Sequence, residues 1–401
     1  MRFPLLTRLV IENYRSIEKC SVVLRELNFL VGPNGSGKSN FMDALAFVAE
    51  ALSTSLSESM RKRGGIAFIP HEKNETADSF GFRLEFRLTD TANGHYSIRF
   101  RTAQKHSYSV EREECVIADE ISGVSRFLVQ AGTVLECTGL VAEKPVVSDN
   151  RLFLGIASSI PVFQPVHNLL SRMMVYNPNL AMMQQLWPPG DDSTLLSDGS
   201  NFVGVFAHLK ENYPKRTEII LSYISKVHPL VLQVITNFIK EANVQWLGFI
   251  EHFSDKRRLI SASDSSSGTL RSLAVLIALF QPAEESASLV CIEEPETGLH
   301  PYASGAIRDA LREATEFRQV IVSSHSPDLL DDKDIPSDCI LAVISRNGST
   351  EIGPLGSDTR SLLQDRLYTA GELLRQNHLK PSISLAEQEQ ASDASLLFDE
   401  F

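Results

Sequence analysis

A glycine-rich loop at residues 32–39 has the residue types and the spacing that most directly indicate chemistry. It reads Gly-Pro-Asn-Gly-Ser-Gly-Lys-Ser and fills every fixed position of the pattern G-x-x-x-x-G-K-[ST]. In such a loop the backbone N–H groups surround the phosphates of a nucleotide, Lys38 reaches the β- and γ-phosphates, and the Ser39 hydroxyl binds Mg²⁺. The glycines permit the turn that points successive amides inward. The loop therefore predicts binding of ATP or GTP with Mg²⁺.

An apolar strand that ends in two carboxylates offers the groups needed to hydrolyse a bound nucleotide. Residues 289–292 are followed by Glu293 and Glu294. Beside a phosphate loop, the first carboxylate would lie near Mg²⁺ and the second near the γ-phosphate, where it can orient or deprotonate water. We therefore expect Glu293 to hold the metal and Glu294 to act in catalysis. Taken alone, the pair could be two solvated acids at a strand end.

Two polar segments beside predicted elements are further candidates for contact with phosphate. Residues 265–269 read Ser-Ser-Ser-Gly-Thr and precede a predicted helix, so they offer hydroxyls together with free helix N–H groups. His325 follows an apolar strand and could reach the γ-phosphate. Taken alone, the first is an ordinary helix N-cap and the second a structural histidine. A second phosphate site is explained if the serine segment caps the nucleotide of a neighbouring copy.

The elements that must position these groups can be predicted from the hydrophobic pattern. Residues 27–31 predict a buried strand that leads into the loop, and residues 40–50 predict the helix that follows it. This context supports phosphate binding because the strand delivers the loop to the positive end of a helix dipole. Later elements are predicted to alternate between helix and strand as in a parallel sheet, at 269–280, 288–292, 302–315 and 319–323.

Other regions have different patterns. Residues 80–110 alternate between apolar and polar side chains around a turn at 90–94, which predicts an antiparallel hairpin, and 245–260 predicts a second one. We expect four segments: an N-terminal part with the loop and an antiparallel β subdomain over 1–163, a mostly helical insert over 164–243, a C-terminal part over 244–380, and an acidic, disordered tail over 381–401. Within that tail, residues 396–398 could instead form a short docking peptide.

Composition narrows the functional classes. The formal net charge of −12 argues against nucleic-acid binding as the main role, although a local patch such as 61–63, Arg-Lys-Arg, leaves DNA open as a partner. That patch could equally be a solvated helix end. The five cysteines contain no C-x-x-C spacing, so neither a zinc site nor a redox pair is predicted. We find neither a membrane-spanning apolar run nor a signal peptide, and expect a cytoplasmic protein.

The order of these motifs resembles ABC-type ATPase heads, and more closely the RecF/SMC/OLD-like branch of ATPases. The similarity covers roughly residues 5–50 and 260–375, with characteristic segments at 11–17, 35–40 and 294–301. It implies a P-loop NTPase of the α/β class, in which a parallel sheet core and an antiparallel β subdomain carry a mostly helical insert. It also implies ATP and Mg²⁺ as cofactors and a homodimer, or a higher oligomer, that sandwiches ATP between two heads.

The resemblance assigns roles to individual residues. His325 would be the switch histidine, and Ser267 and Gly268 would contact the nucleotide of the partner copy. Arg15 would touch the nucleotide, although it could equally be a surface arginine. The catalytic set is then Lys38, Glu294 and His325, the metal ligands are Ser39 and Glu293, and the nucleotide-binding set is Asn34, Gly35, Ser36, Gly37, Lys38, Ser39, Asn40, Ser267, Gly268 and Arg15.

Some features depart from the family pattern. Transporter heads have Asp where this chain has Glu293, and their signature is Leu-Ser-Gly-Gly-Gln rather than Ser-Ser-Ser-Gly-Thr. The Q-loop is not placed; Gln130 is a weak candidate that could equally lie at the edge of a core. OLD-like proteins often carry a Toprim nuclease after the head. Too few residues follow His325 for such a domain, and 331–334 reads as a solvated loop, so we predict no nuclease here.

Three functions are compatible with this sequence. The preferred one is a dimeric ATPase switch that controls DNA or a separate effector protein, a nuclease or a toxin, in antiphage defence or DNA repair. The second is the ATPase subunit of a membrane transporter, against which stand the insert and the unusual signature. The third is a nucleotide-loaded scaffold with negligible turnover, against which stands Glu294.

Overall fold

The computed structural model describes residues 4–71, 79–103, 107–139, 146–148, 150–190, 192–253, 256–282, 287–382 and 397–398. Its strands are β1 (Leu5–Tyr14), β2 (Ile17–Val23), β3 (Leu27–Val31), β4 (Ser79–Arg87), β5 (Ala92–Ala103), β6 (Ser107–Asp119), β7 (Gly123–Gln130), β8 (Thr133–Cys137), β9 (Met174–Tyr176), β10 (Val231–Ile239), β11 (Val244–Phe253), β12 (Lys256–Ser261), β13 (Leu289–Glu293), β14 (Gln319–Ser324), β15 (Ile340–Arg346) and β16 (Ser349–Pro354). Its helices are α1 (Lys38–Ser53), α2 (Leu56–Lys62), α3 (Phe153–Ala157), α4 (Gln164–Ser171), α5 (Leu180–Met183), α6 (Phe202–Asn212), α7 (Pro214–Val227), α8 (Ser267–Phe280), α9 (Pro301–Ala314), α10 (Ser357–Gln364) and α11 (Ala370–Arg375).

The chain divides into two units, and neither is continuous in sequence. Unit 1 comprises Met1–Met173, Pro336–Leu367 and Asn377–Phe401, and unit 2 comprises Met174–Ile335 and Tyr368–Gln376. The expected divisions at 163/164, 243/244 and 380/381 do not coincide with this one. The reason is that strands from distant parts of the sequence pair with each other, which a segment-by-segment prediction does not see.

An antiparallel sheet dominates the N-terminal part of unit 1. Its strand order is β2-β1-β4-β5-β6-β7-β8, which confirms the hairpin predicted at 80–110. Aromatic side chains cover its inner face: Phe47 of α1 packs against Phe80, Phe82 and Phe100 with ring centroids 5.5 to 5.9 Å apart. Burial of each large aromatic side chain contributes roughly 2–3 kcal/mol. This cluster therefore fixes α1, and the loop before it, against the sheet.

The strand that leads into the glycine-rich loop belongs to a second group of strands in unit 1. β3 runs parallel to β15, with Leu30 opposite Leu341, and β15 forms an antiparallel hairpin with β16. The side chains of β3 from Asn28 to Val31 are almost completely buried. Burial on both faces explains why Phe29, Leu30 and Val31 are apolar in succession rather than alternating with polar residues.

Unit 2 contains a short parallel group and an antiparallel group of strands. β13 lies between β14 and β9 and is parallel to both, which confirms the parallel arrangement predicted for this region. β10, β11 and β12 form an antiparallel sheet. The stretch 164–243, predicted as mostly helical, contains α4 to α7 but also β9 and β10. β9 has only three residues, too few for a periodic signal, and β10 does not alternate because apolar side chains such as Leu232 and Phe238 lie at exposed positions.

Parts of the predicted disordered tail are packed. Ser382 N donates to Pro354 O at 2.8 Å, and Leu397 and Phe398 are buried, so the prediction of a disordered tail over 381–401 is wrong for these residues. Residues 383–396 and 399–401 lie outside the described part of the chain. The long separation in sequence hides these contacts from any local pattern.

The basic patch at 61–63 is tied into unit 1 itself. Arg63 has a side chain only 5% exposed, and it pairs with Asp43 at 2.8 Å and with Glu50 at 2.7 Å. Arg61 and Lys62 pair with neighbouring glutamates. Arg63 is therefore structural and is not a surface for nucleic acid. Among the described residues, no helix is long and apolar enough to cross a membrane.

Candidate functional site

The glycine-rich loop lies between a strand and a helix, as its sequence predicts. β3 ends at Val31, and α1 begins at Lys38 with Gly37 as its N-cap. Gly35 and Gly37 have φ of 75° and 106°, in the left-handed region that favours glycine. The tip of the loop, including Asn34 and Gly35, is exposed. The start of α1 can therefore present backbone N–H groups to an anion, as helix N-termini do.

Two glycines are also required because the hairpin β15–β16 lies directly against the loop. A Cβ atom on Gly37 would lie 2.0 Å from Thr350 Oγ1, and one on Gly32 would lie 2.0 Å from Val343 O. Real side chains never come this close, so neither glycine tolerates a substitution without displacing the hairpin. The sequence pattern explains these glycines by phosphate contact; the structure adds a packing reason.

A chain of hydrogen bonds connects the loop to this hairpin. Thr350 Oγ1 donates to Ser36 O at 3.0 Å and lies 2.7 Å from Ser16 Oγ. Asn40 Nδ2 donates to Ser16 Oγ at 2.6 Å, and Thr350 N donates to Ser16 O at 2.7 Å. Ser16 and Thr350 therefore fix the loop at Ser36 and the first turn of α1 at Asn40. Sequence reasoning missed Thr350 because it lies more than 300 residues after the loop.

The ammonium group of Lys38 lies inside the curve of the loop, where a bound phosphate is expected. Its ammonium group donates to Gly32 O at 2.8 Å and to Pro33 O at 3.0 Å, and the residue is 5% exposed. Ser39, one residue further, is exposed at the first turn of α1. This places the cation within the curl of the backbone, where it can exchange carbonyl oxygens for phosphate oxygens.

Arg15 is engaged by α1 rather than free. Its guanidinium pairs with Asp43 at 2.8 Å, and the Tyr14 hydroxyl donates to the same carboxylate at 2.6 Å. Burial and the Asp43 charge raise the pKa of Tyr14 far above its usual range, so Tyr14 stays a donor. Gln130, the weak Q-loop candidate, is an exposed residue at the end of β7 in the antiparallel sheet.

The acidic pair lies at the carboxyl end of β13 in unit 2. Glu293 is the last residue of the strand and pairs in register with Ser323. Glu294 has a left-handed φ of 43°, and its N–H donates to Ser323 O at 3.0 Å. Strained backbone of this kind is concentrated at functional sites. The parallel register brings the ends of β13 and β14 to the same edge.

The structure brings Glu294 and His325 together. Glu294 Oε1 lies 3.0 Å from His325 Nδ1, and the two side chains are 31% and 41% exposed. This contact joins the two residues predicted to act on the γ-phosphate. An imidazole hydrogen-bonded to a carboxylate holds that carboxylate in one orientation, as positioning of a water molecule requires.

The buried carboxyl group of Glu296 connects the turn after Glu294 with the turn that carries His325. Glu296 is 7% exposed and accepts a hydrogen bond from Ser324 Oγ at 2.6 Å. Burial raises the pKa of Glu296, although this hydrogen bond opposes the rise. Ser324 Oγ in turn accepts from Ser326 N at 3.0 Å. The turn after Glu294 and the turn that carries His325 are therefore joined.

Arg271 is a residue of the site that sequence reasoning missed. Its guanidinium donates to Glu293 O at 2.9 Å and to Pro178 O at 3.1 Å. Asn177, directly after β9, donates to Glu293 Oε2 at 3.4 Å. Burial lowers the pKa of Arg271, and the neighbouring glutamates oppose this effect. A signal existed in the sequence, because Arg271 is the one charged residue of the otherwise uncharged α8.

The Ser-Ser-Gly segment begins α8. Ser266, not Ser267, is the N-cap, and its hydroxyl accepts from Thr269 N at 3.1 Å. Ser267 is exposed, whereas Gly268 is buried and a Cβ atom there would lie 2.5 Å from Gly298 O. Gly268 thus allows close approach of the turn that follows the acidic pair, and Ser267 keeps its hydroxyl accessible.

The predicted residues are divided between the units. Asn34 to Asn40 and Arg15 belong to unit 1. Glu293, Glu294, His325, Ser267 and Gly268 belong to unit 2. Among the described residues, no group of three or more His, Cys, Asp or Glu side chains is arranged to hold a metal ion.

Comparisons with known proteins identify the kind of domain. A family model described as "AAA ATPase domain" matches residues 5–122, and one described as "AAA domain, putative AbiEii toxin, Type IV TA system" matches residues 147–331. Structural maintenance of chromosomes protein 1 of Arabidopsis thaliana is 29% identical over 123 residues, which are 30% of this chain and 10% of that protein. DNA replication and repair protein RecF of Proteus mirabilis is 29% identical over 105 residues, which are 25% of this chain and 29% of RecF. The chain thus spans less than a third of these relatives.

Solved structures show the same fold. An Smc head bound to the C-terminal winged-helix domain of ScpA has a TM-score of 0.54 at 15% identity, and the match covers 89% of this chain and 99% of the head. An Smc head from Pyrococcus furiosus, bound to the C-terminal domain of ScpA, has a TM-score of 0.52 at 13% identity. This match covers 91% of this chain and 99% of the head. Together these findings support an SMC/RecF-like ABC-type ATPase with the P-loop fold, which confirms the resemblance and the fold class predicted from the motifs.

Proposed function

We propose that this chain hydrolyses ATP as a dimeric switch that controls a separate partner. The observation that carries the proposal is the 3.0 Å contact between Glu294 and His325 at the ends of two parallel strands, in a chain with a complete phosphate loop. A nucleotide-loaded scaffold without turnover has no need for a strained glutamate held by a histidine.

Binding of the nucleotide is assigned to the loop and its helix. Asn34, Gly35, Ser36, Gly37 and Asn40 would contribute backbone amides and loop geometry around the phosphates. Lys38 would exchange its carbonyl partners for the β- and γ-phosphate oxygens. Arg15, already paired with Asp43, would contact the nucleotide with its one-third exposed side chain.

The donor set fits magnesium. The Ser39 hydroxyl and the Glu293 carboxylate are hard oxygen ligands of the type that Mg²⁺ prefers, with phosphate and water completing the shell. When bound, the ion would neutralise charge on the β- and γ-phosphates. Arg271 and Asn177 hold the main chain and the carboxylate of Glu293, so they would set the orientation of this ligand.

Hydrolysis is assigned to Glu294, with His325 as its positioning partner. The carboxylate would accept a proton from the attacking water, and the imidazole would keep the carboxylate aimed and respond to the γ-phosphate. The exposed Ser267 and the start of α8 would meet the nucleotide of a second copy, which makes two ATP molecules part of the dimer interface.

The partner is assigned by analogy. The matched Smc heads were solved with ScpA domains, RecF acts in DNA replication and repair, and one matched family is described as a putative toxin system. We therefore propose a cytoplasmic switch in which ATP closes the dimer, hydrolysis opens it, and the motion controls DNA or an effector protein, a nuclease or a toxin, in antiphage defence or repair.

Phosphate release from wild type and Glu294→Gln tests the proposal. Loss of a positioned general base costs typically 10²–10⁴-fold in rate, so we expect a drop of at least about a hundredfold with ATP binding retained. Glu316→Gln, which changes an exposed glutamate of unit 2, is the matched control and should behave as wild type. Equal rates for wild type and Glu294→Gln would contradict the catalytic assignment, and no turnover by wild type with any candidate partner would favour the scaffold.

Copurification from the native host tests the partner. Glu294→Gln with ATP should trap the closed dimer together with its effector, whereas wild type should release it. Recovery of a membrane permease instead would favour the transporter alternative.

A further inference from the structure

Two apolar side chains are buried on the charged outer face of the antiparallel sheet in unit 1. Leu397 is completely buried and Phe398 is 5% exposed, and together with Val10 of β1 they form a separate apolar cluster. Val10 itself is flanked along its strand by Arg8 and Glu12, whose side chains are partly exposed on the same face. Leu397 and Phe398 thus cover the apolar side chain of Val10 on an otherwise polar face of the sheet.

The strand register shows how a hollow for Leu397 arises. Glu12 pairs with Gly81, Gly81 with Arg99, and Arg99 with Arg112, so these four positions form one row across β1, β4, β5 and β6. Directly paired residues direct their side chains to the same face. A Cβ atom on Gly81 would lie 2.4 Å from Leu397 Cδ1. Gly81 has no side chain, whereas the other residues of this row are charged. Leu397 therefore fills the space that a side chain at position 81 would occupy.

Phe398 is held by the charged residues of the same row. The guanidinium carbon of Arg112 lies 4.4 Å from the ring centroid, and that of Arg99 lies 5.4 Å from it. Arg112 pairs with Glu114 at 3.0 Å and Arg99 with Glu12 at 3.6 Å, so carboxylates on the sheet fix both cations. Contact with two guanidinium groups selects an aromatic residue at this position.

We propose that this hollow is a peptide-binding site for a Leu-Phe motif, and that its occupant is residues 397–398 of the same chain, which act as a releasable latch. Ser382 is anchored on Pro354 in the same unit, and 14 residues separate it from Leu397. A tether of this length gives an effective concentration on the order of mM, so two side chains suffice for occupancy although their affinity is low.

A peptide titration without nucleotide tests this proposal. The probe is a fluorescent peptide with the sequence of residues 395–401, and the protein is the full chain carrying Leu397→Ala and Phe398→Ala. We expect saturable binding to this variant and at least about tenfold weaker apparent binding to wild type, whose own segment competes. A probe with alanine at both positions should not bind.

Two further variants define the specificity of the site. Arg112→Ala, added to the double variant, should abolish or strongly weaken peptide binding, whereas Arg87→Ala, an exposed arginine on β4, should not. Equal binding to wild type and double variant, no binding to either, or no effect of Arg112→Ala would overturn the proposal.

Hydroxyl-radical footprinting of the otherwise wild-type chain, which reports the exposure of side chains, covers the case in which the double variant fails to fold. Residues 397–398 should be protected, and Arg112→Ala should remove that protection without a comparable loss in melting temperature. The protection should not change with protein concentration. Protection that rises with concentration would assign the occupant to a second copy and overturn docking within one chain.

Discussion

Glu294 adopts a conformation that glutamate rarely takes, one residue after a buried strand ends. A left-handed φ in a non-glycine residue costs roughly 1–2 kcal/mol, and here it accompanies hydrogen bonds to the neighbouring strand and to Thr297 N. The carboxylate then meets His325 at 3.0 Å. The sequence predicted both residues because each directly follows an apolar strand, but the backbone strain was not readable from it.

Lys38→Ala is expected to weaken ATP binding about ten- to hundredfold. Hydrogen bonds to charged groups contribute about 1.5–3 kcal/mol each, and the variant removes the one cation placed inside the loop. Titration with a fluorescent ATP analogue measures the change. Lys380→Ala, at an exposed position of unit 1, is the control. Unchanged affinity in Lys38→Ala would show that the nucleotide binds elsewhere.

At the scale of elements, the hairpin β15–β16 supports the phosphate loop. Gly32 and Gly37 have no room for side chains because this hairpin lies against them, and Thr350 bonds to the loop and to Ser16. Element positions such as β3 and α1 followed from local hydrophobic pattern. The pairing of β3 with β15 did not, because strands that are more than 300 residues apart carry no local mark of each other.

Thr350→Val is expected to raise the KM for ATP several-fold with a smaller change in kcat. The substitution keeps the shape of the side chain but removes a hydroxyl that bonds to Ser36 O and Ser16 Oγ, at about 1 kcal/mol per bond. Thr350→Ser keeps the hydroxyl and should retain a KM near that of wild type. Equal impairment of both variants would point to packing rather than to the hydroxyl.

Glu113 makes the stability of unit 1 depend on pH. It accepts from Phe153 N, Leu154 N and Tyr96 OH at 2.6 to 2.8 Å, so it joins β6 to α3. Burial raises its pKa from 4.5 to about 7, and these hydrogen bonds oppose the rise without cancelling it.

The unfolded chain therefore loses this proton at lower pH than the folded chain. The contribution of protonated Glu113 to the free energy of unfolding is fully present below pH 4.5 and is lost as pH rises through about 7. Glu113→Gln removes the titration, so its unfolding free energy in urea should fall less steeply over this range, where the wild-type slope can reach about 1.4 kcal/mol per pH unit. Glu120→Gln, at an exposed position, should keep the wild-type slope. An identical slope in Glu113→Gln would contradict the assignment.

At the scale of the whole molecule, the residues to which we assign roles are divided between the two units. The loop with Lys38 and Ser39 belongs to unit 1, and Glu294 and His325 belong to unit 2. The exposed Ser267 at the start of α8 remains for a second copy. Because the proposal assigns Ser267 to the nucleotide of a second copy, it requires a dimer that forms with ATP and opens after hydrolysis.

Light scattering after size exclusion tests this dimer. Glu294→Gln with ATP and Mg²⁺ should double its molar mass, and without nucleotide it should not. Adding Ser267→Arg should prevent the dimer while leaving the ATP affinity of the monomer intact, because the bulk of the new side chain would keep the start of α8 away from the partner's nucleotide. Ser263→Arg, at an exposed position before α8, is the control. A dimer that forms equally with Ser267→Arg would contradict contact in trans.

The sequence by itself determined the fold class, the phosphate loop, the two glutamates at the end of β13 and the histidine that follows β14. These features are local: fixed residues lie within a few positions of a strand whose burial shows in its composition. Tertiary structure decided what depends on pairing between distant segments. It placed Thr350 against the loop, Arg271 on Glu293 and Leu397 over Gly81. Such contacts form only when the chain has folded, because their energy comes from burial and hydrogen bonding between surfaces that the sequence keeps apart.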